Sequence, residues 1–250
     1  MKEKSKLEVC FSPALFEYYK DTEAIVVVVD ILRATTAISA AFMNGVDKII
    51  PVGTIDEARE YKNSGYMVAA ERDGIVKDFA DFGNSPFNFT PERVSGKTIV
   101  YSTTNGTNSV MMSKDAYRVV IGSYLNVTAL SNWLVKQEKP VLILCAAWKN
   151  KFNLEDSVFA GCLSEKLLAS GVFYTICDSV KASIDLWEVA EPNLYSYILK
   201  AAQKERLRKN GLDDVIEYCH TKDLTIIVPV LEKNYLKRLQ VNAGKPLIDS

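Results

Sequence analysis

The stretch at residues 24–36, AIVVVVDILRATT, decides the fold class of this 250-residue chain. Its apolar first half has no polar alternation, which is typical of a central β-strand that is covered on both faces. Asp30 follows this strand, and residues 35–44 then have a helical pattern that ends at Gly45, a residue type common just after a helix. A buried strand that leads directly into a helix is the repeating unit of α/β proteins.

The same unit recurs along the chain. Further strands are predicted at residues 7–11, 47–52, 66–70, 97–102, 117–121, 140–146, 173–177 and 225–230. Helical patterns occur at residues 54–63, 106–113, 126–136, 154–169, in a stretch within 186–208, and at 212–219. The alternation predicts an α/β fold, a mainly parallel sheet with helices on both faces and its functional site at the carboxyl ends of the strands. We expect residues 1–250 to form a single unit, and two lobes, 1–130 and 131–250 with a cleft between them, are one way to divide it.

The composition excludes several classes of protein. Thirty basic and 31 acidic side chains give a net charge of −1, which provides no general attraction for nucleic acid or an anionic membrane. No apolar run approaches the roughly 18–20 residues of a membrane span. Five cysteines without a Cys-x-x-Cys pair favour a reducing, cytoplasmic location over a disulfide framework. We therefore expect a cytoplasmic protein without nucleic-acid or membrane partners.

The chain has a single histidine, His220. A zinc site built on histidines, or a phosphoryl relay between two histidines, needs at least two imidazoles. A Ser-His-Asp or Cys-His arrangement would depend on His220 alone. Carboxylates, hydroxyls, arginine or lysine and a hard metal ion are therefore the expected chemical groups, and a few placed cations must hold any anionic substrate.

The polar cluster after the most apolar strand combines a carboxylate, a cation and two hydroxyls. Asp30 can bind Mg²⁺ or attack phosphorus. Arg33, Thr35 and Thr36 at the start of the next helix can hold an anion. The structural alternative is a strand end followed by a helix that a threonine caps, with a solvated arginine.

The segment after the strand at residues 97–102 is a second candidate. Thr103, Thr104, Asn105 and Gly106 place hydroxyls and an amide around one glycine, just before a helix. Backbone N–H groups and hydroxyls in such an arrangement can cradle phosphate. Asn-Gly also favours turns without any ligand.

Three further clusters offer carboxylates, a cation or amides at turns and helix starts: Glu71 with Arg72, Asn84 with Ser85, and Glu155 with Asp156. Taken alone, the first pair is consistent with a solvated turn and the second with an ordinary helix start. The third pair complements the dipole of its helix, or it holds Mg²⁺.

In their order along the chain, these clusters resemble the 2-phosphosulfolactate phosphatase family over about residues 7–235. The motifs that carry the resemblance are Val29–Thr36, Glu71–Gly74, Phe82–Pro86, Thr103–Thr107, and Leu154–Asp156 with Ala160-Gly161. The resemblance implies Mg²⁺-dependent hydrolysis of 2-phosphosulfolactate to 3-sulfolactate and phosphate, a step towards coenzyme M, by an α/β/α protein with its site in a cleft. For this chain we expect Asp30, Arg33, Glu71 and Arg72 in catalysis. Substrate binding is expected from Thr35, Thr36, Asn84, Ser85, Thr103, Thr104, Asn105 and Gly106, and metal binding from Asp30, Glu71, Glu155 and Asp156.

Alternatives stay open at this point. Residues 145–153, CAAWKNKFN, carry Trp148 and Lys149 where family members are expected to have a glycine-containing segment. Another small phosphorylated hydroxy acid is therefore a second candidate substrate. A non-catalytic anion-binding protein of the same fold is a third hypothesis, against which the intact carboxylates argue. The sequence also leaves open whether Asp30 attacks phosphorus or positions a water, and whether the chain forms a homo-oligomer.

Overall fold

A computed structural model describes residues 3–239 of the chain. Its strands are β1 Ser5–Cys10, β2 Ile25–Val29, β3 Lys48–Pro51, β4 Met67–Arg72, β5 Ile75–Val76, β6 Thr98–Ser102, β7 Arg118–Gly122, β8 Val141–Cys145, β9 Phe173–Tyr174, β10 Val228–Glu232 and β11 Tyr235–Leu239. Its α-helices are α1 Ala34–Met43, α2 Ile55–Asn63, α3 Pro91–Val94, α4 Gly106–Met112, α5 Val127–Gln137, α6 Leu154–Ala169, α7 Asp178–Ala190, α8 Leu194–Ile198, α9 Ala202–Lys209 and α10 Ile216–Cys219. Short 3₁₀ helices are Pro13–Tyr18, Pro86–Asn88, Tyr124–Asn126, Glu191–Asn193 and Asp213–Val215.

The strand β2 is buried along its whole length, as its apolar run predicts. Ile25, Val27 and Val29 pack on one face of the sheet, into a core that includes residues of α5, α6 and α7. Val26 and Val28 pack on the other face, against residues of α1 and α4. Because successive side chains of a strand point to opposite faces, an uninterrupted apolar run supplies two cores at once. The predicted α/β fold with helices on both faces is thereby confirmed.

The sheet has eleven strands in the order β5-β4-β6-β3-β11-β10-β7-β2-β8-β1-β9. It contains two parallel blocks, β4-β6-β3 and β7-β2-β8-β1-β9. The antiparallel hairpin β10-β11 lies between them, and single residue pairs, Val230 with Val120 and Leu236 with Ile49, join it to β7 and β3. Strands β1 and β2 pair with β8 across the predicted lobe boundary at residue 130, so the cleft between two lobes is not confirmed. The ends of the predicted unit, residues 1–2 and 240–250, lie outside the described residues.

Local signals predict some elements well and others poorly. Helix α6 spans the predicted residues 154–169, and Thr54 caps α2 by accepting a hydrogen bond from the Glu57 N–H at 3.1 Å. The predicted strand at 173–177 is wrong beyond Tyr174, because α7 starts at Asp178 and the chain turns toward it. The hairpin partner β11 was not predicted. Within residues 3–239 no helix is both long and apolar enough to cross a membrane.

Candidate active site

The carboxyl ends of β2, β4, β6 and β8 lie around a small, partly open cavity of about 30 Å³. Its lining combines residues from the predicted clusters with residues that the sequence did not single out: Asp30, Leu32, Arg33, Glu71, Gly74, Asn84, Thr104, Asn105, Trp148, Gln203 and Leu207. Six separate segments of the chain therefore contribute to one site, and four of them belong to the predicted polar clusters. Eight other predicted site residues do not line the cavity: Thr35, Thr36, Arg72, Ser85, Thr103, Gly106, Glu155 and Asp156.

Asp30 lies at the end of β2, in the turn that starts α1. Its Oδ1 accepts a hydrogen bond from the Ala34 N–H at 3.3 Å, and its own N–H donates to Thr35 Oγ1 at 2.9 Å. The Thr36 hydroxyl donates to the Ile31 carbonyl at 2.9 Å, so both threonine hydroxyls hold this turn together. Burial, followed by the charges of nearby carboxylates, raises the pKa of Asp30 to about 7.

The approach of α4 to Asp30 depends on Gly106. A Cβ atom at Gly106 would lie 2.9 Å from Asp30 Oδ2 and would also collide with the Ala34 side chain. The start of α4 thus contacts the second oxygen of the Asp30 carboxylate directly. Among residues 3–239 no donor is hydrogen-bonded to Oδ2, which leaves this oxygen available to a ligand.

Arg33 is buried beside Asp30 with part of its guanidinium unused. Its Nη2 donates to Asn84 Oδ1 at 2.7 Å, whereas its buried Nη1 has no hydrogen-bond partner among the described residues. The buried Tyr101 hydroxyl, on which the charges of Asp30 and Arg33 act, also has no hydrogen-bond partner within residues 3–239. Burial lowers the pKa of Arg33 and raises that of Tyr101. Buried donors are nearly always satisfied, so these two groups indicate space for an acceptor-rich ligand.

Glu71 and Arg72, adjacent in sequence, have different surroundings. Glu71 Oε1 accepts from the Thr104 N–H at 2.9 Å and Oε2 from the Gly74 N–H at 2.7 Å, which joins the β4-β5 turn to the cavity wall. The Arg72 guanidinium donates to the Gly53 carbonyl and to Ser102 Oγ, both at 3.0 Å. Glu71 therefore lines the cavity, while Arg72 braces the ends of the strands.

The threonine-rich segment is ordered by its own hydroxyls. The Thr103 N–H donates to Thr107 Oγ1 at 3.1 Å, and the Thr107 N–H donates to Thr103 Oγ1 at 3.2 Å. These bonds leave Thr104 and Asn105 to face the cavity. Asn105 Oδ1 accepts from the Lys149 N–H at 3.2 Å, so the segment also anchors the loop that follows β8.

The two carboxylates at the start of α6 are buried behind the cavity. Asp156 accepts from the Ile31 N–H at 2.8 Å and from the Ala147 N–H at 3.2 Å, which ties together the loops that follow β2 and β8. Glu155 accepts from Asn153 Nδ2 at 3.1 Å. Burial raises the pKa of both carboxyls. Among residues 3–239 no three His, Cys, Asp or Glu side chains gather closely enough to hold a metal, so the four predicted ligands do not form one cage.

Several lining residues were missed by sequence reasoning. Gln203 and Leu207 lie on α9, in a stretch for which the sequence predicts only a helix. Trp148, singled out in the sequence only as a bulky residue within 145–153, forms part of the cavity wall. No local motif marks these positions, because a helix distant in sequence reaches the site only through the tertiary fold.

His220 lies away from the cavity. It is buried beside the Tyr124 ring, with 5.4 Å between ring centroids, and its Nδ1 is 2.7 Å from the Ile216 carbonyl oxygen. Burial lowers the pKa of His220 to about 4, so the imidazole is neutral near pH 7.

Comparison with known proteins connects this geometry to a family. The 2-phosphosulpholactate phosphatase family profile matches residues 10–234. A protein of Caldanaerobacter subterraneus subsp. tengcongensis is 36% identical over 222 residues, which cover 87% of this chain and 92% of the relative. A protein of Thermotoga maritima is 35% identical, over 82% of this chain and 88% of the relative. A protein of Clostridium perfringens is 32% identical, over 89% of this chain and 93% of the relative. Each relative carries the name "Probable 2-phosphosulfolactate phosphatase".

Proposed function

Because the chain belongs to the 2-phosphosulfolactate phosphatase family, whose members are phosphoric monoester hydrolases, we propose that it hydrolyses 2-phosphosulfolactate to 3-sulfolactate and phosphate. We further propose that the reaction depends on Mg²⁺ and uses no histidine. His220 does not line the cavity and is neutral near pH 7, which supports the second part of the proposal.

One observation carries the proposal: Arg33 lines the cavity together with Asp30, and its buried Nη1 has no hydrogen-bond partner among residues 3–239. A phosphate ester brings several acceptor oxygens, one of which would satisfy Arg33 Nη1. A buried guanidinium that already donates to Asn84 is fixed in orientation, so it can bind a phosphoryl group without a large loss of side-chain entropy.

The donor set fits Mg²⁺. Asp30 and Glu71 both line the cavity and offer carboxylate oxygens. Mg²⁺ is usually bound by one or two carboxylates, several waters and the phosphate of the substrate, so a larger protein cage is not required. When bound, Mg²⁺ would neutralise and orient the phosphoryl oxygens. Asp30 and Glu71 are therefore the residues that would hold it, while Glu155 and Asp156 support them from behind.

Asp30 can act in two ways. In the first, Oδ2 attacks phosphorus, the bond between phosphorus and the ester oxygen breaks, and the leaving alkoxide of 3-sulfolactate takes a proton from water. A second water then hydrolyses the aspartyl phosphate. In the other, Asp30 accepts a hydrogen bond from a water that attacks phosphorus directly. Only the first route gives a phosphoenzyme that can be trapped by acid quenching.

The test is phosphate release from 2-phosphosulfolactate, with Mg²⁺ and after its removal by a chelator. Asp30→Asn removes the charged oxygen and should lower kcat/KM by about 10³-fold or more. Asp115→Asn, a matched change at an exposed carboxylate, should leave kcat/KM unchanged. The proposed substrate is refuted if the unaltered protein releases no phosphate from it. Activity that survives the chelator refutes the metal requirement, and a fully active Asp30→Asn variant refutes the role of Asp30.

A second candidate substrate is another small phosphorylated hydroxy acid. It is favoured by the bulky Trp148 in the cavity wall and by Lys149 at the rim, where its Nζ lies 2.9 Å from an Asp73 carboxylate oxygen. A comparison of kcat/KM across phosphorylated hydroxy acids decides between the two, because the true substrate should have the highest value.

A further inference from the structure

Helix α9 forms one wall of the cavity. Gln203 and Leu207 on this helix are buried and line the cavity, and Gln203 Nε2 donates to the Leu32 carbonyl at 3.1 Å. The cavity, of about 30 Å³, has room for roughly two water molecules and is partly open to solvent. A substrate bound against Asp30 and Arg33 would therefore extend beyond this space, past the side chains of α9 that line it.

Arg206 is the cation that α9 presents beside this cavity. Its guanidinium lies over the Trp148 ring, 4.6 Å from the ring centroid, and its Nε–H donates to Gln203 Oε1. No carboxylate among residues 3–239 lies within 4.0 Å of it, in contrast to Lys149, which is paired with Asp73. Glu155 is the acidic group whose charge acts on Arg206 from the site.

Two other cations near the cavity, Arg33 and Arg72, already have another role. Arg33 lies beside Asp30 at the position proposed for the phosphoryl group, and Arg72 donates to backbone and serine oxygens. A substrate with a carboxylate or a sulfonate close to its phosphate ester needs another cation for that group. The planar guanidinium of Arg206 matches such oxyanions, and stacking on Trp148 fixes its orientation in advance.

We propose that Arg206 determines substrate specificity by binding, from α9, one of the two acidic groups of the substrate that are not hydrolysed, its carboxylate or its sulfonate. This inference rests on the proposed function, since it assumes that the phosphoryl group occupies the Asp30 and Arg33 end of the cavity. The ligand class is a small phosphate ester that also carries a carboxylate on the ester carbon or a sulfonate on the next carbon. Inorganic phosphate and simple phosphate esters lack this group.

The test is calorimetric binding of 3-sulfolactate and of inorganic phosphate to the Mg²⁺-loaded protein. Arg206→Met keeps an unbranched side chain on Trp148 but removes the charge, so it should weaken 3-sulfolactate by about 10- to 100-fold. The Kd of phosphate should change less than about twofold, and Arg206→Lys should restore part of the affinity for 3-sulfolactate. Arg208→Met is the matched control, since Arg208 is exposed on the same helix, and it should change neither Kd.

Equal weakening of both ligands by Arg206→Met, no weakening, or the same loss in Arg208→Met would overturn the proposal, as would failure of the unaltered protein to bind 3-sulfolactate. The kcat/KM for 2-phospholactate, which lacks the sulfonate, identifies the bound group. If Arg206→Met lowers kcat/KM for 2-phospholactate as much as for 2-phosphosulfolactate, Arg206 binds the carboxylate. If kcat/KM for 2-phospholactate falls only slightly, Arg206 binds the sulfonate. Turnover of 2-phosphosulfolactate by the unaltered protein tests the proposed function separately, because Arg206 can bind 3-sulfolactate even if the ester is not hydrolysed.

Discussion

The burial of His220 predicts how the stability of the protein depends on pH. The imidazole has an ordinary pKa of 6.5 in the unfolded chain and a pKa of about 4 in the folded one, because burial disfavours the charged ring. Between these values the unfolded chain binds a proton that the folded chain does not. The contribution of His220 to the free energy of unfolding is therefore complete above pH 6.5, and it is lost as the pH falls from 6.5 towards 4. At pH 4.5 the loss amounts to about 2.5 kcal/mol.

The perturbation is His220→Phe, which keeps an aromatic ring beside Tyr124 and removes the only imidazole of the chain. Buried carboxyls such as Asp30 have raised pKa values and act in the opposite sense, so the difference between variant and unaltered protein is the informative quantity. Urea denaturation, followed by tryptophan fluorescence, gives the free energy of unfolding at pH 7.5 and at pH 4.5. The variant should gain about 2.5 kcal/mol relative to the unaltered protein between the two conditions.

Parallel pH profiles, with a difference that changes by less than about 0.5 kcal/mol, would refute the reasoning, because an imidazole that gains its proton freely in the folded state is not buried without a partner. Thr221→Ala, at the exposed neighbouring residue, controls for substitution in this segment and should give such a parallel profile. The His220→Phe variant also tests whether the reaction uses histidine, because its kcat should then stay within about tenfold of the value for the unaltered protein.

Two glycines give further predictions. Gly161→Ala should lower the free energy of unfolding, measured by urea denaturation, by about 3 kcal/mol. The added Cβ would overlap the Ser183 carbonyl oxygen at the place where α7 packs on α6. An unchanged denaturation midpoint would contradict this close contact. Gly106→Ala should lower kcat/KM for phosphate release by about 100-fold or more, since its Cβ would press on Asp30 Oδ2 and the Ala34 side chain, and normal activity would show that α4 can move away without cost.

The sequence predicts the parts of the fold that local physics controls. The Ala24–Val29 run predicts β2 because an all-apolar strand can only be buried on both faces, and the residues that flank α6 predict its ends. Strand β11 could not be predicted from its own residues, because its place depends on partners distant in the chain, β10 and β3. The cytoplasmic location and the homo-oligomer stay predictions, since no contact within one chain bears on them.

For the site too, the sequence predicts what local motifs determine and misses what depends on the tertiary fold. Motif order predicts that Asp30, Arg33 and Glu71 belong to one site, and the structure brings these three together. It does not predict side-chain direction: Arg72 follows Glu71 directly but reaches towards Gly53, away from the cavity. Nor could the polar helix α9 be assigned to the site, since a charged helix face gives the same pattern whether it meets water or an anionic ligand.

The hairpin β10-β11 also constrains the order in which the molecule can be completed during synthesis. The parallel blocks on either side of it are built from residues that leave the ribosome earlier. Strand β3 pairs with β6 and β7 pairs with β2, but the opposite edges of β3 and β7 stay unpaired until residues 228–239 emerge. A nascent chain thus carries two half-sheets whose open edges can pair with other chains. The hairpin therefore covers both open edges at once, and a chaperone that shields these edges would protect the nascent chain until residues 228–239 have emerged.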